Sequence, residues 1–203
     1  MSGLLERART YIAAAVGDLR GDNDFMPFMT YVAHDDTVGF AGLAAMGEQA
    51  ERDGLADSMI GMLAVNRARE ALFASCVWHV QAASREALGG KMPSECENRV
   101  EQVFVLHVDP DGNDHFHFAN IHRIGGRVTL GLWRHELAVK GAGGRFGEAL
   151  HIGIRMGRDM PPEMVAFIDA HMEHNFDQMM SSIVKAIGKH RRGESFDVQF
   201  LKG

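Results

Sequence analysis

The clearest alternation of apolar and polar positions lies within Val100–Trp133, where it predicts antiparallel strands. The first strand covers Val103–Val108, which is rich in β-branched and aliphatic residues. Asp109–Asn113 (DPDGN) follows, and its Asp-Gly pair predicts a hairpin because glycine tolerates the positive φ that such a turn requires. The chain then returns through His115–Ile121, where alternation places the histidines on one face and the phenylalanines on the other.

A second tight turn is predicted at Gly125-Gly126, and it leads into a third strand. Val128, Leu130 and Leu132 alternate with other residues, so we expect them to share one face of that strand. Three antiparallel strands are stable only when another layer buries one of their faces. We expect the helices predicted elsewhere in the chain to supply that layer.

The residues before this meander predict a helix, a hairpin and a second helix. Residues 2–20 have apolar side chains at helical spacing. Phe25–Ala33 and Thr37–Ala44 predict the two strands of a hairpin. Residues 48–75 are again helical in pattern, although Gly54 weakens the pattern and permits a break. The broad apolar face of this second helix is expected to contain Leu55, Met59, Met62, Leu63, Leu72 and Phe73.

Four segments have less regular patterns. Cys76–Val80 favours a strand, because β-branched and aromatic residues cluster there. Residues 84–99 are polar, with a glycine pair and a proline, and they predict a flexible connection. Residues 138–145 predict a glycine-rich loop, and residues 146–156 fit either a short helix or a strand.

The last predicted element is a long helix over residues 160–192. Pro162 suits a first helical turn, because its missing N–H would have no partner there. An apolar stripe runs from Val165 to Ile187, and flanking apolar residues widen it beyond the arc that a single core requires. Large exposed apolar faces usually mark interfaces, so we expect this helix to mediate self-association or docking to another protein. The expected interface residues are Phe167, His171, Met172, Phe176, Met180 and Val184.

Together these elements predict a single α+β domain over residues 1–203. Its antiparallel β-sheet, made of a hairpin and a three-stranded meander, would be covered by long amphipathic helices. The composition is ordinary for a globular protein, and the formal net charge of -6 argues against a nucleic-acid partner.

The sequence also indicates a compartment. Two cysteines are too few for a disulfide scaffold. No apolar run has the length of a transmembrane helix, and charged residues interrupt the apolar pattern of the N-terminus, which is not that of a signal peptide. We therefore expect no membrane association and a cytoplasmic protein, or a virion protein if the chain is phage-encoded.

Eleven histidines make divalent-metal binding the first chemical hypothesis, although no cofactor is clearly required. His115 and His117 share one face of a predicted strand and could present two imidazoles to one ion. His122, His107 or a carboxylate from a neighbouring strand could complete the ligand set. The alternative is a polar strand face exposed to solvent, in which case replacing both His115 and His117 with alanine would leave folding nearly unchanged.

Two further clusters have weaker chemical patterns. Residues 169–177 include His171 and His174, which are i, i+3 neighbours on a helix but lack the i, i+4 spacing of zinc metalloproteases. An ordinary helix flank or an oligomer interface is the alternative there. Asp109–Asn113 resembles the start of a calcium loop, but the glycine and the final ligand position do not fit, which favours the hairpin.

The segment from Trp78 to the first hairpin resembles uncharacterised bacterial and phage α+β proteins without assigned activity. In those proteins a strand ending in an aromatic residue precedes a Pro-Ser pair, here Pro93-Ser94, and an Arg-x-Glu, here Arg99-x-Glu101. The resemblance implies a small accessory protein. The sequence favours a non-enzymatic assembly or interaction protein that oligomerises through its C-terminal helix. The alternatives are a metal-dependent enzyme with a His-x-His strand site and a small-molecule sensor with an apolar pocket.

Overall fold

Antiparallel strands form one sheet in the computed structural model of the protein, which describes residues 3–19, 25–43, 48–80, 88–137, 143–166 and 168–170. The sheet has the order β2-β1-β3-β4-β5-β6, and β7 also pairs with β5. The strands are β1 Phe28–Ala33, β2 Val38–Gly42, β3 Ala68–His79, β4 Val100–Val108, β5 Asp114–Ile124, β6 Arg127–Leu130 and β7 Arg134–Leu137. The helices are α1 Gly3–Gly17, α2 Gln49–Val65 and α3 Gly144–Arg158. The described part of the chain is therefore α+β with an antiparallel sheet, as predicted.

Side-chain alternation divides the sheet into two faces that pack against different helices. On the first, the α1 face, α1 packs against residues that include Phe28, Leu72 and Val105. On the second, the α2/α3 face, α2 and α3 pack against residues that include Phe73 and Leu106. Leu72 and Phe73 thus lie on opposite faces of β3, and the prediction that they share one face of a helix is wrong.

The predicted helix over residues 48–75 is wrong beyond Val65, where α2 ends. The Asn66 side chain donates a hydrogen bond of 2.8 Å to the last turn, and β3 begins two residues later. β3 is buried on both faces for most of its length, so its apolar residues are nearly continuous and resemble those of a helix. α2 runs through Gly54 without a break. The strand predicted from Cys76 is confirmed as the end of β3.

The predicted three-stranded meander is confirmed as β4, β5 and β6. In the first turn, the Oδ1 atom of Asp109 accepts hydrogen bonds from the backbone N–H groups of Asp111 at 3.0 Å and Asn113 at 2.8 Å. These bonds are those of a hairpin turn, as the sequence favoured. In the second turn, Gly125 and Gly126 have φ angles of 58° and 78°, as predicted.

The second turn requires glycine for its backbone conformation alone. A Cβ atom at Gly125 or Gly126 would meet no other atom within 4 Å. We expect Gly125→Val combined with Gly126→Val to lower the free energy of unfolding by about 2–4 kcal/mol, since left-handed backbone costs a branched residue about 1–2 kcal/mol per position. Urea unfolding measures the change. Gly125→Asn is the control and should keep the wild-type midpoint, because Asn-Gly suits this turn. A wild-type midpoint in the double valine variant would refute the expectation.

An extra residue separates β6 from β7 along the same edge of β5. β6 ends opposite Ile121 and β7 begins opposite Phe118, so the three residues Gly131–Trp133 lie opposite two residues of β5. Because side chains alternate with a period of two, one inserted residue reverses the face to which the following residues point. Leu132, predicted to share a strand face with Val128 and Leu130, is instead 93% exposed, whereas His135 joins the α1 face.

Residues 146–156 are helical, as part of α3, and α3 packs closely against α2. A Cβ atom on Gly153 would lie 2.7 Å from the Cβ atom of Leu63 and 3.1 Å from the carbonyl oxygen of Ile60. Glycine at this position lets the two backbones approach each other. The buried face of α3 therefore includes glycines in place of apolar side chains, which explains why its sequence pattern is ambiguous.

Helical structure resumes at residues 162–166 and 168–170, where the predicted C-terminal helix begins. Ile168 is buried against Val65 of α2, and Met164 packs partly against them. The predicted interface residues lie outside the described part of the chain: Phe167, His171, Met172, Phe176, Met180 and Val184. Within the described ranges, no helix has the length and apolar character needed to cross a membrane.

Candidate functional site

Four histidines lie close together on the α1 face of the sheet: His107 on β4, His115 and His117 on β5, and His135 on β7. Strand register brings them together, because His107 lies opposite His115 and His117 lies opposite His135. The ring centroids are 4.8 Å apart for His117 and His135 and 5.5 Å apart for His107 and His115. We call these four residues the histidine cluster.

The histidine cluster lines a cavity of about 460 Å³ beside α1. Leu5 and Arg9 of α1 and Asp109 of the β4–β5 turn complete the lining. This volume lies in the range of sites that hold small molecules. Six of the seven lining residues have ionisable side chains.

His107 is held by a buried partner. Its Nε2 atom lies 2.7 Å from the Oε1 atom of Glu70, and the two side chains are only 5% and 8% exposed. Glu70 lies on β3, two residues before Leu72, which is the register partner of His107. A buried carboxylate is tolerated only with such a partner, so this pair fixes the orientation of the His107 ring.

Asp109, His115 and His135 form a continuous hydrogen-bonded chain. The Oδ2 atom of Asp109 lies 2.8 Å from Nε2 of His115, and Nδ1 of His115 lies 3.3 Å from Nε2 of His135. Burial alone would raise the pKa of Asp109, but hydrogen bonds from His115 and Asn113 outweigh it and lower that pKa to about 2. Asp109 is therefore ionised near neutral pH and only accepts, so Nε2 of His115 carries a proton.

His117 is buried, with 4% of its surface exposed, so the prediction of a solvent-facing strand is wrong at this position. Burial first, and then the repulsion of a further positive charge by Arg9 and by His135 in its protonated form, lower the pKa of His117 to about 3. The ring is therefore neutral near pH 7. Its Nδ1 atom lies 3.4 Å from Nη2 of Arg9. A guanidinium can only donate, so Nδ1 accepts and the proton is on Nε2, for which the described residues provide no hydrogen-bond partner.

Arg9 reaches the histidine cluster from α1. Its Cζ atom lies 5.2 Å from the centre of the Trp133 ring, within the range of a cation–π contact. Its Nη1 atom lies 3.2 Å from Oε1 of Glu6, whose side chain is 58% exposed. These contacts, together with the one to Nδ1 of His117, place the guanidinium at the edge of the cavity.

The predicted metal ligands are only partly brought together. His115 and His117 lie in the histidine cluster, and so does His107, whereas His122 is exposed on the opposite face of β5. Within the described ranges, no group of three His, Cys, Asp or Glu side chains is arranged to hold a metal ion. The Nε2 atom of His117 carries a proton, and the neighbouring Arg9 disfavours a second cation there. The metal hypothesis therefore stays a prediction.

The sequence does not identify three residues of the site, which are Arg9, Glu70 and His135. Glu70 falls within the segment predicted as helix, so its proximity to a strand histidine is hidden. The inserted residue in Gly131–Trp133 hides the alignment of His135 with His117. Arg9 resembles any cation on the polar side of an amphipathic helix, and its role emerges only from the packing of α1.

Comparisons with known proteins add no relative. No protein-family model matches the chain, and searches of curated proteins and of solved structures find no match either. The resemblance to bacterial and phage accessory proteins therefore stays a prediction. The second histidine pair, His171 and His174, lies outside the described residues.

The burial of His117 changes the expected effect of substitutions in β5. We expect His117→Leu to raise the free energy of unfolding, because it removes a buried donor whose lack of a partner costs about 1–3 kcal/mol. The prediction that alanine at both His115 and His117 leaves folding unchanged loses its premise, since one of the rings is interior. Urea unfolding near neutral pH measures the effect of the leucine substitution.

The same substitution should weaken the pH dependence of stability. The pKa of His117 is about 3 in the folded protein, whereas a histidine in an unfolded chain has a pKa of about 6.5. Between these values the unfolded state binds the additional proton. Wild-type stability should therefore fall as the pH is lowered from about 7 to about 4, and the His117→Leu variant should lose less. His122→Leu, on the exposed face, is the control and should keep the wild-type dependence. An identical pH dependence in wild type and His117→Leu would count against this account.

Proposed function

We propose that this protein binds a small molecule bearing an oxyanion, a carboxylate or a phosphate, in the cavity beside α1. The observation that supports this most directly is the buried Nε2–H group of His117, a residue that lines the cavity and has no acceptor for this group among the described residues. A buried donor without an acceptor is unfavourable by about 1–3 kcal/mol. A ligand oxygen would satisfy it.

The charges around the cavity favour the same class of ligand. Arg9 places its guanidinium beside His117. Its pair with Glu6 is exposed and therefore weak, and a guanidinium has several N–H groups, so an oxyanion can share it. Two further carboxylates near the cavity are each engaged by a histidine, Asp109 by His115 and Glu70 by His107. Hydrogen-bond donors are thus concentrated where Arg9 and His117 meet.

Calorimetric titration with inorganic phosphate and with acetate tests the proposal. We expect saturable binding of at least one anion, with a dissociation constant of about 1 mM for so small a probe. Arg9→Met and His117→Leu should each abolish it, and the control variant His122→Leu should bind like wild type. The proposal fails if neither anion binds wild type saturably, or if binding persists in both Arg9→Met and His117→Leu.

Self-association is a second proposal, and its support is the wide apolar stripe of the predicted C-terminal helix. Met164 and Ile168 at its beginning pack within the chain, so the contact surface would be formed by other apolar positions of the predicted helix, which include Phe167 and Met180. A helix continued to residue 190 would also add a long amphipathic layer to the fold. Such a protein could form an assembly with itself or with another protein.

We expect sedimentation equilibrium at tens of micromolar to show a dimer or larger species, and Phe167→Glu and Met180→Glu each to yield folded monomers. Ser181→Glu, between apolar positions of the same segment, is a control for added charge. A monomeric wild type whose fold is destabilised by both glutamate substitutions would show that the stripe belongs to the core.

A further inference from the structure

The chain of hydrogen bonds from Asp109 through His115 to His135 ends at the cavity, beside the ring of His117. We propose that the protein is an enzyme in which His135 is the general base that removes a proton from an O–H group, a water or a hydroxyl, beside the molecule bound in the cavity. His115 and Asp109 are positioning residues for His135. This proposal rests on the proposed function, because it requires a ligand in that cavity.

The hydrogen-bond directions determine the tautomer of each ring. Asp109 is ionised and accepts, so His115 donates from Nε2 at 2.8 Å. In the neutral His115 ring, Nδ1 then holds a lone pair, and His135 donates to it from Nε2 at 3.3 Å. The Nδ1 atom of neutral His135 consequently holds a lone pair, and it is available because His135 is an exposed residue at the cavity. A base needs such an unprotonated nitrogen.

Two protons move along this chain of hydrogen bonds, which we call the relay. His135 Nδ1 takes a proton from the attacking water or hydroxyl, while the proton on its Nε2 atom passes to Nδ1 of His115. His115 then carries the positive charge, with its Nε2–H still directed at the carboxylate of Asp109. The positive charge therefore moves away from the reacting atoms to a residue already paired with an anion, which favours proton removal. The proton later returns to the leaving group or to solvent.

The other side of the cavity is suited to the negative charge that this step creates. The rings of His117 and His135 are stacked with their centroids 4.8 Å apart, so the base lies directly beside the residue that carries the unsatisfied donor. His117 offers its Nε2–H group, and Arg9 lies beside it. Preorganised donors at the place where negative charge develops are the usual means of stabilising such a transition state. Two carboxylates near the cluster are already paired, Glu70 with His107 and Glu6 with Arg9.

Hydrolysis of p-nitrophenyl acetate tests the activity. Water attacks the ester carbonyl as His135 takes one of its protons, and the C–O bond to p-nitrophenolate breaks. Acetate and p-nitrophenolate are released together with two protons, the one that His135 returns to solvent and the one that the nascent acetic acid loses. We expect His135→Gln to lower kcat/KM at least about tenfold and Asp109→Asn to lower it by a smaller factor. The Asp109→Asn variant keeps the Oδ1 atom that accepts hydrogen bonds in the β4–β5 turn. His34→Gln, at an exposed histidine outside the cavity, is the control. Equal rates in wild type and His135→Gln would overturn the proposal.

Diethyl pyrocarbonate, which acylates neutral imidazole nitrogens, gives an independent readout of the base. We expect the reagent to acylate His135 faster in wild type than in His115→Phe, because the phenylalanine removes the path from His135 to Asp109. A purely structural role of His115 predicts equal acylation rates in the two proteins, and that result would overturn the relay. Phosphate should slow acylation of His135 in wild type but not in His117→Leu. If phosphate gives wild type no protection while the difference between wild type and His115→Phe remains, only the oxyanion site is contradicted, so the two proposals fail separately.

Discussion

Glu70→Leu is expected to destabilise the protein by about 3 kcal/mol, because it leaves the buried Nε2 atom of His107 without its partner. The two side chains are 5% and 8% exposed, so the hydrogen bond between them is largely shielded from solvent. Glu70→Gln keeps an acceptor at the same place and should cost less. Urea unfolding near neutral pH measures both variants.

A double-mutant cycle separates the pair from the packing around it. Glu70→Leu combined with His107→Phe removes both polar groups and leaves apolar side chains of similar volume. We expect the double variant to recover most of the stability lost in Glu70→Leu, to within about 1 kcal/mol of wild type. A double variant less stable than Glu70→Leu alone would show that the two residues stabilise the fold through other contacts.

Gly153→Leu is expected to destabilise the protein by about 3 kcal/mol or more, since it forces α2 and α3 apart. Even a Cβ atom there would lie 2.7 Å from the Cβ atom of Leu63 and 3.1 Å from a backbone carbonyl oxygen. Neither atom can move without shifting α2. The loss should be visible as a lower urea midpoint and, because the helices separate, as increased exposure of apolar surface to a fluorescent dye.

Gly54→Leu is the matched control, because Gly54 lies on an exposed position of α2 where a Cβ atom would meet nothing within 4 Å. Leucine is a better helix former than glycine, so this variant should be stabilised by about 0.5–1 kcal/mol. Leucine is thus expected to lower the free energy of unfolding at Gly153 and to raise it at Gly54. A Gly153→Leu variant as stable as wild type would mean that the two helices pack less closely than the structure shows.

The parts of the fold that the sequence predicts correctly are those with local chemical causes. The turns at Asp109–Asn113 and Gly125-Gly126 are specified by residues that tolerate positive φ, and the strands between them follow. β3 is not predicted in full because a strand buried on both faces loses its alternation. α3 is left undecided because it buries glycines such as Gly153 against α2.

The residues of the candidate site are likewise predicted from the sequence only where the signal is local. His115 and His117 can be assigned to one strand face from alternation alone, which is a local property. His135 cannot, because the inserted residue in Gly131–Trp133 reverses its face, and only the pairing with β5 reveals it. Arg9 and its effect on the tautomer of His117 depend on how α1 docks on the sheet, which is a tertiary property. Polar residues on an otherwise apolar, buried sheet face are the ones expected at functional sites.

The tautomer and ionisation of His117 test the central claim most directly, because the oxyanion site depends on its buried Nε2–H group. Long-range proton–nitrogen correlation spectra of protein labelled with nitrogen-15 histidine report both properties. We expect His117 to remain neutral, with its proton on Nε2, from about pH 8 to about pH 4, consistent with its pKa of about 3. Added phosphate should shift the Nε2–H resonance saturably in wild type and not in Arg9→Met. A His117 ring that titrates near pH 6.5, or that carries its proton on Nδ1, would contradict the account.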